Sequence, residues 1–440
     1  MCFKHWLFRV AMLTIAITAI EAGARQGSTY AEDIPTSVAE ELYGKLSLSQ
    51  ALTRAYRFNP DLAISDGAIQ VGEARIQQAR LLPNPELSAE AENVWGRDVY
   101  SGFDEAENTF RIAQPLELGG KRSKRVSLAN TERHLAEWDY KARRLEITAK
   151  VTTSFVGVLS GQRRLEVQKE IVRLAEAFAA TAAARVEAGK VSPIELTRAE
   201  IVVAGTRNTM RQAEKELDAE RKKLASFWGS SDPAFTEAAG NLEIISPMPS
   251  LESLVALLPQ SPLLARWETE LAQREASLAL EKARRIPDLT LSGGLRYFSG
   301  TGDEAYVVGL GIPLPIFSRN QGSILEASLL QQMAGKEKRA EEMKIRRALA
   351  EFYRDLSNAY ETALALRERI LPASQTAFEA VEEGYRRGKF SYLDVLDAQR
   401  TLFEAREQEV ETLAAFHTAK AELEGIVGVS LAILQTNEME

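Results

Sequence analysis

The chain is poor in the residues that carry covalent and metal chemistry. Of 440 residues, one is a cysteine, Cys2, and three are histidines, His5, His134 and His417. A single cysteine forms no internal disulfide, and scattered histidines offer no cluster at metal-ligand spacing. Gly119-Gly120 and Gly293-Gly294 lack the pattern of a phosphate-binding loop. No internal run reaches the roughly 18 apolar residues of a membrane-spanning helix. A formal charge of -8 leaves no basic excess for the phosphates of a nucleic acid. An enzyme, a resident cofactor or metal, and a nucleic-acid partner are therefore not expected. Proline is missing from two long stretches, Leu116 to Ser192 and Ala373 to the C-terminus. Long helices are free to run there, because an interior proline removes a backbone donor and clashes with the preceding turn.

What is present starts with a candidate leader. Lys4 and Arg9 precede the apolar run Val10 to Ile20, and Ala22-Gly23-Ala24 offers a small-residue exit, with Thr29-Tyr30-Ala31 as a second choice. This layout predicts a secretory signal peptide over 1–24, cut as late as 31. Its removal takes Cys2, which lies before the apolar run and so is no lipid-acceptor cysteine. It also removes Lys4, Arg9 and Glu21, moving the formal charge from -8 to -9. The whole chain, 45% apolar and 26% charged, has the balance of an ordinary folded protein.

That remainder is written twice. Asn59-Pro60 is echoed by Ser261-Pro262, Pro85-Glu86-Leu87 by Pro287-Asp288-Leu289, and Pro115-Leu116 by Pro313-Leu314. Gly189-Lys190-Val191-Ser192 is echoed by Gly388-Lys389-Phe390-Ser391, and Leu224 to Gly229 by Leu423 to Gly428. The offsets stay between 198 and 202 residues. The pattern predicts a linker over 25–45, repeats over 46–229 and 250–428, a connecting linker over 230–249 and a tail over 429–440. Long helices are expected at about 120–188 and 193–228, then at about 320–387 and 392–427. Pro372 should kink or break the third. Leu165, Val172, Ala179 and Val186 recur every seven residues with Ala175 and Ala182 between, a seam suited to close helix packing.

Between the helices, each repeat carries two alternating runs, at about 86–95 and 107–115 and at about 288–298 and 305–313. Leu87, Ala89, Ala91 and Trp95 alternate with Ser88, Glu90 and Glu92, and Phe110 and Ile112 flank Arg111. Leu289, Leu291, Leu295 and Tyr297 alternate with Thr290, Ser292 and Arg296, and Tyr306, Val308, Leu310 and Ile312 with Val307, Gly309 and Gly311. Period two marks strands with one apolar face. Glu90, Glu92, Arg111 and Arg296 on the other face, with Trp95, Tyr297 and Tyr306 near strand ends, suit a membrane barrel with a wet lumen. Four strands cannot close such a barrel, and an open sheet edge is not tolerated in lipid, so the chain must oligomerise.

Two turns join the long helices. Gly189 and Gly388 can end a helix in the left-handed region, and Ser192 and Ser391 can cap the next one. Glu195 and Asp394 stand where a capping box needs them, and Pro193 holds the first helical position. Asp397, three residues after Asp394, shares its helix face. In a ring of identical chains the two acids would form a girdle that favours cations.

The segment Tyr385 to Gln399, built on Gly388-Lys389-Phe390-Ser391-Tyr392-Leu393-Asp394-Val395-Leu396-Asp397, resembles a periplasmic hairpin of the TolC family of outer-membrane efflux proteins. Pro83-Asn84-Pro85, Gln114-Pro115-Leu116-Glu117-Leu118-Gly119-Gly120-Lys121-Arg122 and Arg185-Val186-Glu187-Ala188-Gly189-Lys190-Val191-Ser192-Pro193 are similar to its CzcC branch, which serves heavy-metal pumps. The resemblance implies a mainly α chain with a membrane β-barrel. In that architecture a homotrimer shares twelve strands, set in outer-membrane lipid and continued by a periplasmic helical tunnel. It implies a periplasmic adaptor docking at Gly189, Lys190, Ser192, Gly388, Lys389 and Ser391, and an inner-membrane pump of the resistance-nodulation-division class. It likewise implies a periplasmic gate at Asp394 and Asp397. Phe390 replaces a basic residue that ties the mouth in some members. Metal cations are the implied cargo, with drugs or a secreted polypeptide as alternatives. A soluble periplasmic coiled-coil scaffold fits the heptads but has no use for four alternating runs.

Overall fold

The structure, a computed structural model, describes residues 44–431. The candidate leader, residues 25–43 of the first linker and residues 432–440 of the tail lie outside them. The first half runs β1 (Gly44–Ser47), α1 (Leu48–Phe58), α2 (Pro60–Arg80), β2 (Glu86–Glu92), β3 (Glu107–Leu116), α3 (Lys121–Glu187) and α4 (Pro193–Ser226). After β4 (Phe235–Ala239) the second half runs α5 (Leu251–Leu257), α6 (Pro262–Arg284), β5 (Leu289–Phe298), β6 (Glu304–Gly311), α7 (Gln321–Ala365), α8 (Leu371–Arg386) and α9 (Tyr392–Val427). The same succession of helix pair, strand pair, long helix and returning helix occurs twice.

The prolines that open α2 and α6 follow buried caps, and the caps explain the echo between the two sequences. Asn59 Oδ1 accepts from the backbone N–H groups of Asp61 and Leu62, at 3.0 and 3.2 Å. Its Nδ2 donates to Phe227 O at the end of α4, 2.9 Å away. Ser261 Oγ accepts from Leu263 N and donates to Ile426 O at the end of α9, at 2.7 Å. Each cap thus satisfies an orphan donor at one helix start and an orphan carbonyl at another helix end. At 6% and 1% exposure, neither could rely on water instead.

The 67-residue α3 is unbroken and, at the standard rise, about 100 Å long. It packs against α2, α4, α6 and α9. Its buried seam toward the turn end is Val167, Ile171, Ala175, Phe178 and Ala182. The expected seam is half right: Val172, Ala175 and Ala182 are buried, while Leu165, Ala179 and Val186 lie at its margin. Large side chains set the phase, since Phe178 fills the space between the hairpins.

The helix expected over about 320–387 is three segments. Residues Leu366–Ile370 form a π-helical turn between α7 and α8, with Pro372 just beyond it. The wider turn takes up the missing proline N–H without ending the helix. Ser374 Oγ donates to Ile370 O at 2.7 Å.

The linker read over 230–249 is not structureless. Its β4 pairs in parallel with β1, and Lys45 meets Glu237 at 3.1 Å across them. Around it, Leu254, Leu258, Leu349, Leu356, Phe416 and Leu423 form a buried cluster.

Strands β2, β3, β5 and β6 form one antiparallel sheet in that order. β2 stops at Glu92, short of the expected residue 95, because Asn93 and Trp95 both take φ of 57°, outside the extended region. Trp95 instead meets Phe103 edge-on within the loop, at 5.1 Å between centroids.

Candidate functional site

Residues paired across a sheet share a face, so the register assigns every side chain. Glu90, Thr109, Arg296 and Ala305 form one row, and Ser88, Arg111, Gly294 and Val307 the next on the same face. Glu90, Glu92, Arg111 and Arg296 are therefore together on one side. Arg296 ties Glu92 of β2 to the face of β3. Its guanidinium meets Glu92 at 2.8 Å and Glu107 at 2.7 Å, and its Nε donates to Thr109 Oγ1 at 2.9 Å. Glu107, which sequence reading passed over, stands one step of the alternation before Thr109 and two before Arg111. With Glu86 the face carries four carboxylates against two guanidiniums, a balance that favours cations. The opposite face is apolar and uncovered: Leu87, Phe110, Ile112, Tyr306 and Val308 are all exposed, the last two at 89% and 87%. Strands β2 and β6 have no outer partner among the described residues.

At the far end of the long helices lie the two turns. Gly189 and Gly388 have φ of 66° and 77°. In the first turn Gly189 N donates to Val186 O and Lys190 N to Arg185 O, both at 2.9 Å. In the second, Gly388 N donates to Tyr385 O and Lys389 N to Gly384 O, at 2.9 and 2.8 Å. Each is the same left-handed helix stop, which leaves Lys190 and Lys389 exposed at the tip. Ser192 and Ser391 then cap α4 and α9.

The acids divide differently from the sequence expectation. Asp394 completes a capping box, accepting from Ser391 N at 2.8 Å and from Ser391 Oγ at 2.7 Å. These bonds hold its carboxyl below the ordinary value, so it stays ionised. Asp397 is 72% exposed and paired with Arg400 at 2.9 Å. Both acids are exposed, yet each already has a partner in its own helix. Glu195 forms no capping box, since Ser192 Oγ accepts from Ile194 N instead. Its carboxylate accepts from Tyr385 Oη at 3.1 Å.

Tyr385 fastens the two hairpins. Arg185 of α3 lies over its ring at 4.2 Å and donates to its carbonyl at 2.6 Å, while its hydroxyl reaches Glu195 of α4. Phe178 and Tyr392 pack against the same ring, at centroid distances of 5.2 and 6.5 Å. Burial first, and the bond to Glu195 second, push the Tyr385 hydroxyl above its ordinary value and keep it a donor. No local spacing foretells this latch, because its partners are 190 and 200 residues apart. Phe390 folds back on Gly384, where any Cβ would collide with its ring.

Among the described residues, no group of three or more His, Cys, Asp or Glu side chains is placed to hold a metal, and no helix is long and apolar enough to cross a membrane. The sequence model of the outer membrane efflux protein family matches residues 48–230 and 254–429. The cobalt-zinc-cadmium resistance protein CzcC of Cupriavidus metallidurans is 35% identical over 96% of this chain and 99% of its own. The nickel-cobalt-cadmium resistance protein NccC of Alcaligenes xylosoxydans xylosoxydans is 25% identical over 76% of this chain and 71% of its own. In fold, the chain is similar to solved CusC, with a TM-score of 0.73 at 19% identity over 87% of this chain and 92% of that one. It is also similar to the outer membrane protein VceC of Vibrio cholerae, with a TM-score of 0.72 at 18% identity over 87% and 96%. The fold is that of the TolC-like channels, and this chain, a passive outer-membrane channel and not an enzyme, belongs to the outer membrane efflux protein family.

Proposed function

We propose that three copies close a twelve-stranded barrel and serve as the exit duct of a tripartite pump for heavy-metal cations. The observation that carries this is the sheet: one apolar face, one charged face and two unpaired edges. In hydrocarbon, unpaired backbone groups are too costly to leave, so β6 of one copy must find β2 of the next. The directions alternate along β2-β3-β5-β6, so this joint keeps the whole ring antiparallel. Glu90, Glu92, Arg111 and Arg296 then line the lumen, and the apolar face meets lipid.

Asp394 and Asp397 would ring the inner mouth, where a surface pair such as Asp397–Arg400 is weak enough to exchange. The tips at Gly189, Lys190, Ser192, Gly388, Lys389 and Ser391 are exposed for a periplasmic adaptor, and a resistance-nodulation-division pump supplies the energy. Support for the cargo is the identity to a cobalt-zinc-cadmium resistance protein along nearly the full length of both chains. A deletion strain challenged with zinc, cobalt, cadmium, nickel, copper and common drugs tests it. Metal hypersensitivity restored by the gene is expected; sensitivity to drugs alone would assign the duct another cargo.

A further inference from the structure

The four junctions between strands and helices lie together at one end of the sheet, because β2 and β5 start where β3 and β6 finish. They are tied to one another: Gln114 Nε2 donates to Pro83 O at 3.0 Å, and Lys121 meets Asp288 at 2.7 Å. Arg122 Nε donates to Arg80 O, also at 2.7 Å. Of the acids of this region, Glu86 and Glu326 have no partner among the described residues, whereas Asp288, Glu117 and Glu281 are paired, with Lys121, Arg125 and Arg284. Five cations are not. The side chains of Arg80, Lys124, Lys282, Arg285 and Arg319 are exposed and have no ion pair or hydrogen bond among the described residues. Directly beside them, Leu82, Leu314, Ile316 and Phe317 are exposed at 65%, 75%, 61% and 90%. In a chain of net charge -8, unpaired cations next to uncovered apolar residues at the foot of a membrane sheet need a partner that is both anionic and oily.

We propose that this belt docks the headgroups of anionic phospholipids in the periplasm-facing leaflet of the outer membrane. Long basic side chains lay their stems along apolar surface and lift the charge to the headgroup level. Leu314, Ile316 and Phe317 enter the acyl boundary beneath. Charge complementarity favours a lipid surface over a second copy of the chain, because five unpaired cations outnumber the two unpaired acids, Glu86 and Glu326, that a copy presents at this level. The inference rests on the barrel reading and fixes the height at which the barrel stops.

The test uses the full protein reconstituted in vesicles of phosphatidylcholine, with and without phosphatidylglycerol, and counts bound lipid by native mass spectrometry. Phosphatidylglycerol is expected to be retained in preference to phosphatidylcholine, and the preference to fade at high salt. The variant K124Q/K282Q/R285Q/R319Q is expected to lose at least roughly tenfold of that preference, while K124R/K282R and R285K/R319K keep it. Inorganic phosphate at matched concentration is expected to displace nothing. Equal retention of both lipids by the wild type overturns the belt but leaves the barrel standing. Failure to enter vesicles of either composition overturns the barrel reading itself. Loss of oligomer, with lipid preference intact, in the glutamine variant would mean the cations pair across copies, and would overturn the belt as well.

Discussion

At the residue scale, Tyr385 is the most consequential side chain of the hairpin end. It is nearly fully buried and joins α3, α8 and α4 through a cation–π contact and two hydrogen bonds. Tyr385→Phe keeps the packing but leaves Glu195 without its donor, a loss of about 1.5–3 kcal/mol for a bond to a charged acceptor. The expected outcome is a leakier channel in planar bilayers with the oligomer intact; unchanged conductance would reduce the tyrosine to packing. His417 offers a second, pH-dependent reading. Its Nε2–H donates to Leu242 O at 2.9 Å, and burial, above all, holds the imidazole below its ordinary 6.5. Below that value the unfolded chain takes up the proton first, so stability falls as pH drops from about 6.5 toward the lowered value. Glu409 and Glu422, raised by burial, act in the opposite sense, losing stability as pH rises above the ordinary 4.5. Melting curves of wild type and His417→Asn, compared from pH 7 down, cancel the glutamates. The gap is expected to close on acidification, and a constant gap would contradict the assignment. Of these groups the sequence showed identities and nothing of their environment. Asp394 was legible as a cap because its partner is three residues away, whereas Glu195 filled the same slot and found Tyr385 instead.

At the scale of elements, periodicity and punctuation gave most of what was needed. Strand alternation placed Glu90, Glu92, Arg111 and Arg296 on one face, since period two is a property of the backbone itself. The end of β2 was less legible, because nothing in Trp95 announces a positive φ. The β1–β4 pair was missed because each strand has only 4 or 5 residues and its partner lies in the other linker. Proline 372 did announce an irregularity, but not its form. A π turn is one inserted residue in an α-helix, so removing one residue there restores a continuous helix without turning α8. Deleting exposed Glu368 together with Pro372→Ala is therefore expected to preserve the packing of Phe378 and Tyr385, and with it melting behaviour near wild type. Deleting Glu368 alone leaves proline in a helix interior, at a cost of about 3 kcal/mol. Equal damage from both variants would show that the π turn is required for its own sake.

At the scale of the whole molecule, the central claim is that the sheet is incomplete. The helices bury part of their apolar surface within one chain, leaving Ile64, Ile201 and Leu325 exposed, and the caps at Asn59 and Ser261 close each half on itself. The sheet goes further: its whole apolar face and both edges are uncovered. The sequence implied this through counting, because four short alternating runs are too few for a barrel. It could not say which strands would be the edges, since that depends on the two halves pairing through β3 and β5. The most direct measurement is the mass of the mature protein extracted from membranes and held in mild detergent, by native mass spectrometry. A trimer that precipitates when the detergent is withdrawn is the predicted result. A monomer that stays in solution without detergent would contradict the account.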